Sequence, residues 1–231
     1  MKLALKIVTI ACGCLFALWA IGRFTNTIQF YKIPTPSNEP TLMQDSYILA
    51  SNLKKPRRFD FICFRFINEF SKTIYVKRLC GMSGDTLEIK NGDLFVNYKS
   101  VDPLLTLNHR YSISKNNLNY LLYSKVFDKK NIVEGTNLFI GPSDTTCKVL
   151  LNKEVASDKN INPTRDILPK GAEPGTLWQE FDATWNRDNF GPIIIPNDKY
   201  FVLGDSRENS EDSRYIGFIN KSDWVGTVLT N

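Results

Sequence analysis

Hydrophobic residues are grouped along this chain in three manners, each predicting a different kind of element. Residues 7–22, IVTIACGCLFALWAIG, form an unbroken uncharged run. With Leu3 to Leu5 joined to it and the Lys6 stem lying along the apolar surface, the run approaches the roughly 20 residues of a membrane span. Such a run is either a retained anchor or a cleaved signal peptide. Cleavage sites end in small residues of the A-x-A kind, whereas Leu18, Trp19 and Ile21 put bulk into that pattern. The expectation is therefore a retained anchor over residues 1–24, one amino-terminal transmembrane helix. Lys2 and Lys6 precede the uncharged run and Arg23 and Lys32 follow it, so charge alone leaves the anchor's orientation open.

From residue 27 to 97 the pattern is that of short strands. Ser46 to Ser51, Phe59 to Phe66 and Ile74 to Cys80 are rich in β-branched and aromatic residues. Leu87 to Ile89 and Leu94 to Asn97 flank Asn91-Gly92, a strong hairpin-turn signal. Residues 98–190 differ: they are rich in Asn, Lys and Asp, carry several prolines and show weaker periodicity, with a short helix predicted near Asn116 to Lys125. Strands return at Gly191 to Ile195, Tyr200 to Leu203 and Trp224 to Leu229. The simplest architecture is a mainly β protein, in which 27–97 and 191–231 build one β-domain and 98–190 is an inserted subdomain.

Composition narrows the chemistry. A chain of 231 residues that is 42% hydrophobic has enough apolar side chains for a real core. Its single histidine, His109, cannot make a two-His zinc site, and any Ser-His or Cys-His catalyst would run through that one residue. The five cysteines (Cys12, Cys14, Cys63, Cys80, Cys147) are odd in number and lack a C-x-x-C. They support neither a metal site nor a disulfide framework and read as packing residues. A net charge of +5 is too mild to favour nucleic acid as a partner. Lys54, Lys55, Arg57 and Arg58 form a solvated face or meet anionic headgroups. Phe59, Phe61, Phe64, Phe66 and Phe70 are expected mostly in the core, with an edge available to the bilayer.

Three polar segments stand out against this background. In IPTPSNEPTL, residues 33–42, prolines with fixed φ hold a single serine in a turn. In YVKRLCG, residues 75–81, a lysine sits in an otherwise apolar strand. Taken singly, these read equally well as an ordinary turn and a solvent-facing lysine. The third, GDSRENSEDSR at 204–214, opens directly off the apolar strand Tyr200 to Leu203, and polar density in that position fits a site better than a linker.

Together and in this order, the segments resemble the type I signal (leader) peptidases, membrane-anchored serine proteases with a Ser-Lys dyad. The family's serine box, Ser-Met-x-Pro-Thr-Leu, is met by Ser37 to Leu42 with Asn38 in place of Met. Its Lys-Arg-x-x-Gly-x-x-Gly-Asp box is met by Lys77 to Asp85, and its last box by Gly204 to Gly217 with Ser206 in place of Asn. Asp60 fits the acidic position of the box between serine and lysine. The resemblance covers roughly 1–97 and 191–229, and the family places a variable domain between the lysine and last boxes.

The resemblance implies a membrane-anchored β-domain of antiparallel sheets, with Ser37 as nucleophile and Lys77 as general base. It also implies that Ser210 orients the lysine, that Thr35 donates to the oxyanion, and that Asp205, Asp212 and Arg214 support the site. Burial lowers a lysine pKa by up to ~3–5 units, enough to supply a neutral amine, and Tyr75, Val76, Leu79 and Cys80 are suitable apolar neighbours. Ile33, Leu42, Ile48, Tyr75 and Val76 are the expected substrate-binding residues, and Asn38 puts pocket shape in question.

The implied substrates are secreted preproteins cleaved after a small-x-small site, with the lipid bilayer as a second partner and no cofactor. The implied location is the cell (inner) membrane, single-pass, with the catalytic domain extracytoplasmic. Two other readings remain open here. One is a self-cleaving Ser-Lys protease of the SOS-repressor kind, against which the apolar run at 7–22 argues; the other is a membrane-tethered β-domain that binds partners without catalysis.

Overall fold

A computed structural model describes residues 2–25, 27–67, 72–124, 138–140, 145–172 and 181–229. Its strands are β1 (Gln29–Lys32), β2 (Tyr47–Ser51), β3 (Phe61–Ile67), β4 (Lys72–Met82), β5 (Thr86–Lys90), β6 (Asp93–Val96), β7 (Lys99–Ser100), β8 (Asn108–Ser114), β9 (Leu138–Ile140), β10 (Thr146–Asn152), β11 (Thr164–Arg165), β12 (Phe190–Ile194), β13 (Lys199–Leu203), β14 (Ile219–Asn220) and β15 (Trp224–Val228). Its α-helices are α1 (Lys2–Phe24), α2 (Lys115–Tyr123), α3 (Lys153–Ala156) and α4 (Ser213–Ile216). The predicted mainly β class holds, and the strands that pair do so antiparallel.

A seven-stranded sheet runs β1-β2-β15-β3-β4-β13-β14, and four-stranded sheets run β12-β5-β6-β7 and β11-β8-β10-β9. The first sheet separates two cores because the side chains of a strand alternate between its faces. Along β4, Ile74 and Val76 pack with Ile33, Leu42, Ile48 and Phe61, whereas Tyr75 and Leu79 pack with Ile62, Phe64 and Val202. A third core joins the first two sheets through Cys80, Leu87, Leu94, Phe190 and Phe201. Phe59 and Phe66 also pack against these clusters, and Phe70 lies outside the described residues. The Asn-Gly turn between β5 and β6 is of the mirror-image kind its sequence predicts, with φ of 51° at Asn91 and 78° at Gly92.

Strands β8 to β11 close over a separate core of Ile113, Leu121, Cys147, Val149, Leu151 and Ile161. Helix α2, predicted near this place, is capped where Ser114 Oγ accepts the Asn117 N–H. Residues of this region reach back to the segment after β13. Arg207 donates to both carboxylate oxygens of Asp102 at 2.7 and 2.9 Å, and Asn108 N–H donates to Asp205 O at 3.0 Å.

The predicted anchor segment is helical, and its Leu5, Ile7, Val8, Ile10, Leu15, Phe16 and Trp19 are exposed. The expectation of a spanning helix is not met: among the described residues no helix is long and apolar enough to cross a membrane.

Candidate active site

Ser37 lies in a single 3-10 turn, Pro36–Asn38, entered from an extended Thr35 at φ −132° and ψ 154°. Both features follow from Pro36, whose ring fixes its own φ and pushes the preceding residue out of the helical region. Lys77 comes from the interior of β4, where Lys77 to Gly81 are all buried. Its Nζ donates to Ser37 Oγ at 2.6 Å, across 40 residues of sequence. Burial of Lys77 lowers its pKa from the ordinary 10.5 to about 8; Arg214 adds to the fall, while Asp212, Glu211 and Asp205 oppose it. The lysine is thus brought within a unit or so of neutrality with no histidine beside it.

Thr35 Oγ1 stands 3.2 Å from Ser37 Oγ, in the same turn. Ser210 is buried, but its Oγ has no hydrogen-bond partner among the described residues, so the expected bond to Lys77 is not formed. Ser210 is nevertheless close to the serine turn, and Gly204 is the reason it can be. A Cβ built on Gly204 would lie 2.2 Å from Ser210 Oγ and 2.4 Å from Ser37 O. Only a residue without a side chain lets the loop after β13 press against the serine turn.

Besides the Arg207–Asp102 pair, two buried ion pairs hold that loop. Arg214 Nε and Nη2 donate to Asp212 at 2.8 and 2.9 Å, and Asp212 Oδ2 also accepts the Gly204 N–H at 3.0 Å. Burial alone would raise the Asp212 pKa, but Arg214 and that N–H hold it below the ordinary range. Arg78 Nε and Nη2 donate to Asp205 at 2.6 and 2.5 Å, and Thr41 Oγ1 donates to the same carboxylate at 2.5 Å. One aspartate therefore joins residues of the serine, lysine and last segments. Arg78 also donates to Phe59 O at 2.7 Å and lies over the Phe61 ring.

A groove of about 960 Å³ passes Ser37 and Lys77 and is lined also by Ile33, Thr35, Asn38, Ile74, Tyr75 and Val76 among others. Leu42 and Ile48, read from sequence as lining residues, are absent from its wall; they are buried at 3% exposure in the core beneath it. Asp60 accepts from the Arg57 N–H and from Lys54 Nζ, and so fixes the turn before β3 rather than lining the groove.

His109 has a role that the sequence did not reveal. Its Nδ1 is 3.3 Å from Glu208 Oε1, and Glu208 Oε2 accepts the Arg110 N–H at 2.9 Å. Burial alone would raise the Glu208 pKa, but His109, Arg214 and that N–H bring it down to about 2.

The family model described as signal peptidase, peptidase S26, matches residues 3–230. The chain belongs to this family. Membership makes it a hydrolase, a serine-type endopeptidase of the signal peptidase I kind. Signal peptidase I P of Bacillus subtilis subsp. natto is 30% identical over 201 residues, covering 85% of this chain and 72% of that one. Signal peptidase IB of Staphylococcus aureus is 30% identical over 213 residues, covering 91% and 80%. A crystal structure of a signal peptidase I from Enterococcus faecalis aligns over 77% of this chain and 98% of that one, at 24% identity and a TM-score of 0.35.

Proposed function

We propose that this peptidase cleaves signal peptides from secreted preproteins after a small-x-small site, using Ser37 and Lys77 as its dyad. The observation that carries this reading is the 2.6 Å contact between Lys77 Nζ and Ser37 Oγ, both buried at the floor of an open groove. Neutral Lys77 takes the Ser37 hydroxyl proton as Oγ bonds to the scissile carbonyl carbon. The Ser37 N–H and the Thr35 hydroxyl donate to the resulting oxyanion. Lys77 then returns the proton to the leaving amine as the C–N bond breaks, and a water repeats the sequence to free Ser37. Asp205, Asp212 and Arg214 hold the loop, which packs against the serine turn at Gly204 beside Ser210. Ile33, Tyr75 and Val76 contact the substrate strand.

The exposed apolar side chains of α1 support attachment of the protein to the cell membrane, with the catalytic domain on the extracytoplasmic side. Residues 27–97 and 191–231 act as the catalytic domain, with 98–190 as its insertion. The test uses detergent-solubilised protein and a peptide containing Ala-x-Ala. Ser37→Ala and Lys77→Ala each abolish cleavage, and kcat/KM rises with pH through an apparent pKa near 8. Retained cleavage in the Lys77 variant, or a limb near the ~6.5 of an ordinary histidine, refutes the dyad.

A further inference from the structure

Asn38 is buried at 2% exposure beside the nucleophile, and its Nδ2 donates to Val76 O at 2.8 Å. This bond joins the residue after Ser37 to the residue before Lys77. The sheet makes no such connection itself, because the pairing of β13 with β4 reaches only Leu203 and Arg78. Past that point the serine turn lies against β4, and Asn38 donates to a backbone carbonyl there. The arrangement has a cost: Asn38 Oδ1 is buried with no hydrogen-bond partner among the described residues. A buried amide that leaves one end unsatisfied is a poor choice for stability alone. Methionine, which the resemblance places at this position, has no donor for a carbonyl.

We propose that Asn38 is a positioning residue for the dyad, its amide clamping Val76 O so that Ser37 Oγ and Lys77 Nζ stay within hydrogen-bonding distance. This rests on the Ser37–Lys77 reading above. The clamp acts on geometry in the chemical step, because a displacement of about 1 Å at reacting atoms costs on the order of 100-fold in rate. It also keeps the turn closed over the lysine. Asp212, Arg214, Glu211 and Asp205, the charges that act on Lys77, are untouched by a change at position 38.

The test compares full-length wild type, Asn38→Met, Asn38→Leu and Ser37→Ala on one peptide substrate. Expected for both Asn38 variants is a fall in kcat of roughly 10–100-fold with KM little changed. The acid limb of kcat/KM moves up from about 8, as water reaches the amine. Their unfolding midpoints stay close to that of wild type, since removal of the unsatisfied Oδ1 offsets loss of the bond to Val76 O. Asn38 variants with wild-type kcat and an unmoved limb, beside an inactive Ser37→Ala, overturn the clamp and leave the dyad standing. An active Ser37→Ala overturns both.

Discussion

Replacing Lys77 by methionine should inactivate the protein and at the same time stabilise it at neutral pH. The folded state lowers the lysine pKa from 10.5 to about 8 because the amine is buried. At about 1.36 kcal/mol per pKa unit, holding the protonated form costs about 3 kcal/mol. Below pH 8 both folded and unfolded chains carry the proton and the whole cost is present. Between pH 8 and 10.5 the unfolded chain binds a proton that the folded chain lacks, so unfolding free energy rises with pH. Above 10.5 both are neutral and the cost is gone. Methionine has no such dependence but loses the bond to Ser37, worth about 1 kcal/mol. Lys77→Met should therefore be more stable than wild type by about 2 kcal/mol at pH 7, with the difference closing or reversing by about pH 10.5. Urea unfolding of both proteins at the two pH values measures this, and taking the difference cancels the other titrating groups. A variant that is less stable at pH 7, or a difference that does not change with pH, would refute burial as the source of the lowered pKa.

Other substitutions probe the framework around the dyad. Gly204→Ala drives a methyl group against Ser37 O and Ser210, and should cost about 1–3 kcal/mol in unfolding assays together with most of the peptidase activity. Arg78→Ala leaves the Asp205 carboxylate, 1% exposed, without its partner and should destabilise by about 3–5 kcal/mol. His109→Ala should leave the limb of kcat/KM near 8 while lowering the thermal midpoint, because Glu208 loses a partner. Because His109 is one of several groups that hold Glu208 near 2, that loss fades as pH falls towards 2 and Glu208 takes up a proton.

Local pattern carried most of the strand positions. β3, β4 and β13 are apolar runs bounded by turn residues, and their observed limits lie within about two residues of those read from composition alone. The proposed dyad was legible for a different reason: each segment around Ser37 and Lys77 carries fixed neighbours at fixed spacing. What stayed hidden depends on pairings between distant positions. Arg78 with Asp205 spans 127 residues, and Arg110 with Glu208 spans 98. No window of sequence reveals which arginine meets which acid. The misplacement of Leu42 and Ile48 has the same origin, since a buried apolar residue near a site reads alike whether it faces the groove or the core. For Ser210, proximity followed from the motif, but hydrogen-bond direction did not.

The sheet order has a consequence in time. β15, residues 224–228, is inserted between β2 and β3, which are made far earlier, and the loop that presses on Ser37 follows β13. Neither half of the seven-stranded sheet is closed until synthesis has passed Val228. At ~5–20 residues per second, that comes roughly 10–40 s after Ser37 is made. During that interval Ser37 exists without the loop after β13 that packs against its turn. The site is therefore assembled late, when nearly the whole of residues 37–228 has been made.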